Sequence, residues 1–123
     1  MIRGMKTYSL THIADETLLH DLSTLITRDH ETTAELLAHL AEIDARGLYR
    51  PKAYSSMHDY CVHDLHFSEG AAYRRIGAAR AARQFPKLFL AVADGRLHLS
   101  GVGVLARSKE QVTNYLDSLP SHC

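Results

Sequence analysis

The sequence predicts an all-helical fold, and three features of the 123-residue chain carry this prediction. Apolar residues recur at intervals of three and four, as they do on one face of an α-helix. Serines stand where helix N-caps are needed, directly before several of these stretches. No run alternates apolar and polar residues as a half-buried strand does, and residues 97–104 come nearest. With 46% hydrophobic residues, residues 15–123 are expected to form one helical domain around one core.

A long amphipathic helix is predicted from Asp15 to Ala45. Its apolar spacing continues through the polar stretch of residues 28–33, so one helix of about 30 residues fits. Two shorter helices joined near His30 are the alternative. Residues 1–14 show no periodicity and are expected to be a flexible arm, and Gly47 is expected to end the helix. The periodic positions are Leu18, Leu22, Leu25, Ile26, Leu36, Leu37, Leu40 and Ile43.

This leucine-rich face must be covered by other apolar groups. It either packs inside its own domain or pairs with a second chain, and a homodimer through the helix from Asp15 to Ala45 is therefore one expectation.

Five shorter helices are predicted after Pro51. Ser55 or Ser56 caps the first and Ser68 caps the second, whereas Pro86 suits the start of the third. Ser108 opens the last, with Gln111 three residues later in the spacing of a capping box. The predicted extents are residues 56–65, 68–85, 86–94, 101–106 and 108–119.

Residues 54–85 have the pattern of a helix-turn-helix, in which a short turn joins a helix to a second helix that enters the DNA major groove. The second helix here is the arginine-rich one. Its buried face is predicted to contain Ile76 and Tyr73 together with Ala72, Ala79 and Phe85.

Charge is divided unevenly along a chain of zero net charge. Residues 1–69 carry 11 acidic and 6 basic side chains, whereas residues 70–123 carry 3 acidic and 8 basic ones. From Gly70 to Lys87 there are five cations and no acid. Such a block predicts a polyanionic partner or an acidic protein surface, and pairing with the acidic N-terminal half is the alternative.

Duplex DNA is the partner that the helix-turn-helix pattern and the basic block predict together. Arg74 and Arg75 lie early in the second helix and are expected to reach base edges. The N-terminus of that helix, at Ser68, is expected to hold a backbone phosphate. This hypothesis requires cations that are exposed and free of the chain's own carboxylates. The expected phosphate-contacting residues are Arg80, Arg83 and Lys87.

The segments ELLAHLAEIDARGLY, YSSMHDYC, LHFSEGAAYRRIGAARAARQFP and DGRLHLSGVGVLA resemble the helical region that precedes the nuclease domain in a bacterial family of HNH endonucleases. The resemblance runs from about Asp15 to about Ala106 and implies a DNA-associated helical domain. The order of the capped helix, the Phe-Pro break and the DGRL segment also resembles the layout of the helix-turn-helix region in ParB-type partition proteins.

The catalytic module that this resemblance would imply is not in the sequence. After Ala106 no His-Asn-His constellation and no pair of closely spaced cysteines follows. We therefore expect a non-catalytic DNA-binding domain without a cofactor. A fragment of an HNH endonuclease that acts with a separate catalytic module is the second hypothesis, and a protein-interaction or dimerisation module is the third.

No metal site is predicted, and the sequence favours a cytoplasmic protein. Asp59, His63 and His66 would share one face of a regular helix, but a surface rich in histidine is the preferred interpretation. No apolar run reaches the roughly 18 residues of a membrane span. The two cysteines, Cys61 and Cys123, suit a reducing cytoplasm.

Overall fold

The fold, described by a computed structural model over residues 8–105 and 108–119, is all-helical, as predicted. No strand occurs in either of these two stretches. Residues 1–7 of the predicted arm and Ala106, the predicted end of one helix, lie outside the described residues. The helices are α1 (Asp15–Arg46), α2 (Met57–Asp59), α3 (Glu69–Gln84), α4 (Lys87–Ala93), α5 (Leu99–Leu105) and α6 (Lys109–Ser118), and a π-helical turn (Tyr60–Asp64) continues α2.

The first helix is unbroken, so the alternative of two helices joined near His30 is wrong. The side chains of residues 28–33 are exposed or half-buried, so their polar groups remain in contact with water and do not interrupt the helix. Gly47 ends α1 as predicted, with a left-handed φ of 61°. In that conformation the Gly47 N–H donates to the carbonyl of Asp44 (3.1 Å) and the Leu48 N–H to that of Ile43 (3.1 Å), so two terminal carbonyls find partners.

Serine caps begin α2, α3 and α6, as the sequence predicts. The hydroxyl oxygen of Ser56 accepts the Asp59 N–H at 3.0 Å, and that of Ser68 accepts the Ala71 N–H at 3.1 Å. Ser108 caps α6 in the same way.

The predicted helix over residues 56–65 departs from regular α-geometry. After Asp59 the hydrogen-bond pattern widens, and the Leu65 N–H donates to the carbonyl of Tyr60 at 3.2 Å. This wider turn lets the adjacent residues Tyr60 and Cys61 both reach the core.

Helix α3 is the centre of the fold and contacts α1, α2, α4 and α5. Its buried positions are mainly alanines, which allow neighbouring helices to approach closely. Ala72, Ile76 and Ala79 are buried as predicted, and Phe85 is half-buried. Tyr73, which was expected in this face, is 78% exposed. Tyr73 lies at an open hollow between α2, α3 and α5, where no described helix packs over its ring.

Leucines from the C-terminal half of α1 complete the core against α3 and α4. Leu37 and Leu40 are almost fully buried, together with Leu88 of α4 and Val102 of α5. None of the described helices has the length and apolar character that crossing a bilayer demands.

Candidate functional site

The residues predicted to contact DNA all lie on or beside α3, but they are not equally available. The two helices joined by residues 65–68 stand where a helix-turn-helix is predicted, and that motif itself stays a prediction. Ser68 lies at the N-terminus of α3, where its hydroxyl oxygen already accepts the Ala71 N–H. The five cations of the basic block fall into three different environments.

Arg80 is engaged by a carboxylate of α1. Its Nε donates to Asp44 Oδ2 at 2.8 Å and its second terminal nitrogen donates to Asp44 Oδ1 at 3.0 Å, so the guanidinium forms a two-pronged pair. The Asp44 side chain is only 18% exposed. This hydrogen bonding raises the pKa of Arg80 above its ordinary value and keeps the pair charged.

Arg83 is also paired with α1. It donates to Glu42 Oε1 at 3.2 Å, while Arg46 donates to the other oxygen of the same carboxylate at 2.7 Å. The hydrogen bonds from Arg46 and Arg83 hold the pKa of Glu42 below its usual value. Because all three side chains are at least half exposed, this cluster can exchange with solvent and salt.

The side chain of Arg75 is partly buried and is not fully exposed to solvent. Its guanidinium carbon lies 4.7 Å from the ring centroid of Phe67, in a cation–π contact. Its Nε is buried and has no hydrogen-bond partner among the residues that the structure describes. The side chain therefore covers the turn before α3, where it cannot reach a base edge without leaving Phe67.

Arg74 and Lys87 remain exposed, and neither forms an ion pair within the described stretches of the chain. Arg74 lies in the second turn of α3, and Lys87 is the first residue of α4. The alternative that the sequence offered for the basic block, pairing with the acidic N-terminal half, thus describes Arg80 and Arg83. The DNA-binding hypothesis retains two free cations of the original five.

The residues considered for a metal site do not converge. Asp59 is the last residue of α2 and accepts a hydrogen bond from the Ser55 hydroxyl. His63 lies in the π-helical turn, which changes its angular spacing from Asp59, and His66 has a left-handed φ of 61° outside the helix. Over residues 8–105 and 108–119, no three histidine, cysteine or carboxylate side chains are placed to share a metal ion.

The N-terminal half of α1 carries an apolar surface that no described part of the chain covers. The same face that supplies Leu37 and Leu40 to the core continues past the last contact with α3 and α4. There its apolar side chains are between 39% and 67% exposed. We call this surface the exposed stripe; its members are Leu18, Leu19, Leu22, Leu25 and Ile26. The periodicity predicted the stripe, but only the position of the core shows which half of it is left open.

Acidic side chains surround the exposed stripe. Residues 15–33 include five carboxylates and a single basic residue, Arg28. This end of α1 therefore combines an apolar face with a negative charge.

A groove follows α3 on its side towards α2, α5 and α6. It consists of three adjoining hollows, the first of about 650 Å³ between α2, α3 and α5. The second lies against α6 and shares Gly77 and Arg80 with the first; the third shares Gln84 and Phe85 with the second. We call these hollows together the α3 groove. Sequence patterns did not predict it, because it is formed by short helices whose packing they do not specify.

The walls of the α3 groove are apolar and its rim is basic. Met57, Ile76 and Leu99 contribute to the apolar lining of the first hollow, together with the largely exposed Tyr73. Among the lining residues, the one carboxylate is Asp117, in the third hollow. The lining cations are Arg74, Arg80, Lys87 and Lys109.

No family model, no curated protein and no solved structure matches the chain.

Proposed function

We propose that this protein is a self-association module that pairs through the N-terminal half of α1. The observation that carries the proposal is the exposed stripe, whose five large apolar side chains lie on one face of a helix and outside the core. Scattered apolar residues are ordinary on protein surfaces, whereas a contiguous row of them marks an interaction site.

The helical state of this segment supports the same proposal. An isolated helix of fewer than about 12–15 residues is marginal in water, because most helical stability in proteins comes from packing of an apolar face. The first turns of α1 are exposed and receive no such packing from residues 8–105 or 108–119. A partner that covers Leu18, Leu22 and Leu25 would supply it, at spacings of four and three that place all three on one side.

Light scattering on the full chain tests the proposal. We expect a mass of at least twice the 13.7 kDa of one chain at micromolar concentration. Leu22→Glu combined with Leu25→Glu should give single chains, since two charges replace the centre of the stripe. Both positions are more than half exposed, so the variant should keep its helical circular dichroism.

A matched control places the same two charges elsewhere on the helix. His20→Glu combined with Thr27→Glu lies on the opposite side of α1, at exposed positions. This control should associate as the unaltered chain does. A wild-type mass of one chain at every concentration, or equal loss of association in both variants, would refute the proposal.

DNA binding is a second candidate function, and the free cations Arg74 and Lys87 favour it. In this candidate function Lys87 and the N-terminus of α3 contact phosphate, as expected from the sequence, and Arg74 contacts phosphate instead of a base edge. Arg74→Ala combined with Lys87→Ala should weaken binding to random duplex. It should also reduce the slope of log affinity against log salt by about two. An unchanged slope would remove both residues from the interface.

The resemblance to HNH endonucleases adds an expectation to this second candidate. A chain that positions DNA for a separate catalytic module should bind plasmid without cutting it. We expect no nicking of plasmid by this chain in Mg²⁺ or Mn²⁺. Nicking would show that the chain is itself a nuclease and would contradict a non-catalytic role.

A further inference from the structure

We infer that the exposed stripe of one chain docks in the α3 groove of a second copy of this chain. The inference rests on the proposed self-association and names the surface that receives the stripe. It is a heterologous contact, because two different surfaces meet. Two chains could each dock the N-terminal half of α1 in the α3 groove of the other, while the C-terminal half stays in its own core.

Charge complementarity is the first argument. The stripe lies among five carboxylates and one arginine between residues 15 and 33. Four cations and one carboxylate line the α3 groove. Of these cations Arg80 is already paired with Asp44, whereas Arg74, Lys87 and Lys109 form no ion pair within the described residues. Direct pairing of two stripes would instead bring two acidic segments together. Repulsion between the two acidic segments would weaken that association. Docking in the α3 groove instead places the acidic segment beside basic side chains, which favours association and disfavours pairing of two stripes.

Dimensions provide the second argument. Leu18 and Ile26 are eight residues apart, about 12 Å along α1 at about 1.5 Å per residue. From Tyr73 to Gln84 the groove follows α3 for about 17 Å on the same scale. A helix that presents residues i, i+4 and i+7 to an apolar groove is a recurrent mode of peptide recognition, and Leu18, Leu22 and Leu25 have this spacing.

Two glycines in the groove provide the third argument. A Cβ atom added at Gly77 of α3 or at Gly103 of α5 would meet no other atom within 4 Å. Packing inside the chain therefore does not require glycine at either position, although glycine in a helix interior lowers stability. Their absent side chains leave the wall of the first hollow open to an approaching helix.

The test uses a groove variant that leaves the stripe intact. Gly77→Glu places a negative side chain in open space inside the groove and should yield single chains, with association weakened at least about tenfold, or about 1.4 kcal/mol. Gly77→Ala is the matched control, because a methyl group leaves the groove open, and it should associate normally. Circular dichroism should be unchanged in both variants.

Mixing decides which surfaces meet. Chains carrying Leu22→Glu with Leu25→Glu retain the groove, and chains carrying Gly77→Glu retain the stripe. Fluorescence energy transfer between the two labelled variants should show a mixed complex, although neither variant associates alone. If Gly77→Glu associates as the wild type does, or if no mixed complex forms, the inference is wrong. If Gly77→Glu associates normally while the Leu22→Glu and Leu25→Glu variant is monomeric, the proposed self-association still holds and only the docking surface is wrong.

The salt dependence of association distinguishes docking in the groove from pairing of two stripes, because the two should respond to salt in opposite directions. Docking of the acidic segment in the basic groove should weaken as sodium chloride rises, because ions screen the attraction. Pairing of two acidic stripes would strengthen under the same change. Stronger association at high salt would therefore overturn the inference, and a wild-type chain that never associates would overturn the proposed function as well.

Discussion

Arg80 and Asp44 join α3 to the C-terminal end of α1 through two hydrogen bonds, at 2.8 and 3.0 Å. Two nitrogens of the guanidinium each contact one oxygen of the carboxylate, and the Asp44 side chain is largely buried. This contact spans 36 residues of sequence and ties the acidic half of the chain to its basic half.

Breaking this pair should measurably destabilise the protein. We expect Arg80→Lys to lower the free energy of unfolding by about 1 kcal/mol, because an ammonium group cannot reproduce the two-pronged geometry and exposure of Arg80 limits the gain. Chemical denaturation measures this loss. Arg83→Lys is the control and should change stability by less than about 0.5 kcal/mol, since its partner Glu42 is half exposed. Equal effects would mean that the fork geometry contributes nothing.

Single-element features were predictable from the sequence, because their causes are local. The Ser68 cap, the Gly47 terminator and the helical spacing of α1 each depend on a few neighbouring residues, and the structure confirms all three. Tyr73 shows where such reasoning ends. Its helical position allowed burial, but whether a neighbouring helix lies over that position depends on packing across the whole chain.

The candidate site was less predictable than the fold for the same reason. A block of five cations is visible in the sequence, but the carboxylates that engage Arg80 and Arg83 lie about forty residues away. Likewise the periodicity revealed a long apolar stripe on α1, and only the extent of the core divides it into a buried and an exposed half.

Two leucines on this one helix face should respond differently to truncation. Leu37→Ala should lower the free energy of unfolding by about 2–5 kcal/mol at any protein concentration, because Leu37 is fully buried and its truncation leaves a cavity. Leu22→Ala should destabilise the protein only at concentrations at which chains associate, since Leu22 is 55% exposed. Thermal denaturation over a dilution series separates the two. A concentration-independent loss at Leu22 would place it in the core of its own chain.

Replacement of two glycines by alanine should change the free energy of unfolding in opposite directions. Gly47 has a φ of 61°, and an added Cβ would come within 3.1 Å of the Arg50 guanidinium, so Gly47→Ala should cost about 1–2 kcal/mol. Gly77 lies inside α3 with open space around its Cβ position, so Gly77→Ala should add about 0.5–1 kcal/mol. Urea unfolding of both variants checks this. Destabilisation by Gly77→Ala would show that the helix needs glycine there for its own packing.

Cys61 should be chemically inert in the folded protein. Its side chain is fully buried, and burial raises the pKa of the thiol, with the charge of Asp44 acting in the same direction. Since the thiolate is the reactive form, a raised pKa lowers the reactive fraction at a given pH. In a Cys123→Ser background, where Cys61 is the one thiol left, an aromatic disulfide reagent at about pH 8 should react at least about tenfold faster after unfolding in urea. Comparable rates in the folded and unfolded chain would mean that Cys61 is exposed by local opening, and that α2 and the π-helical turn do not stay packed against α3.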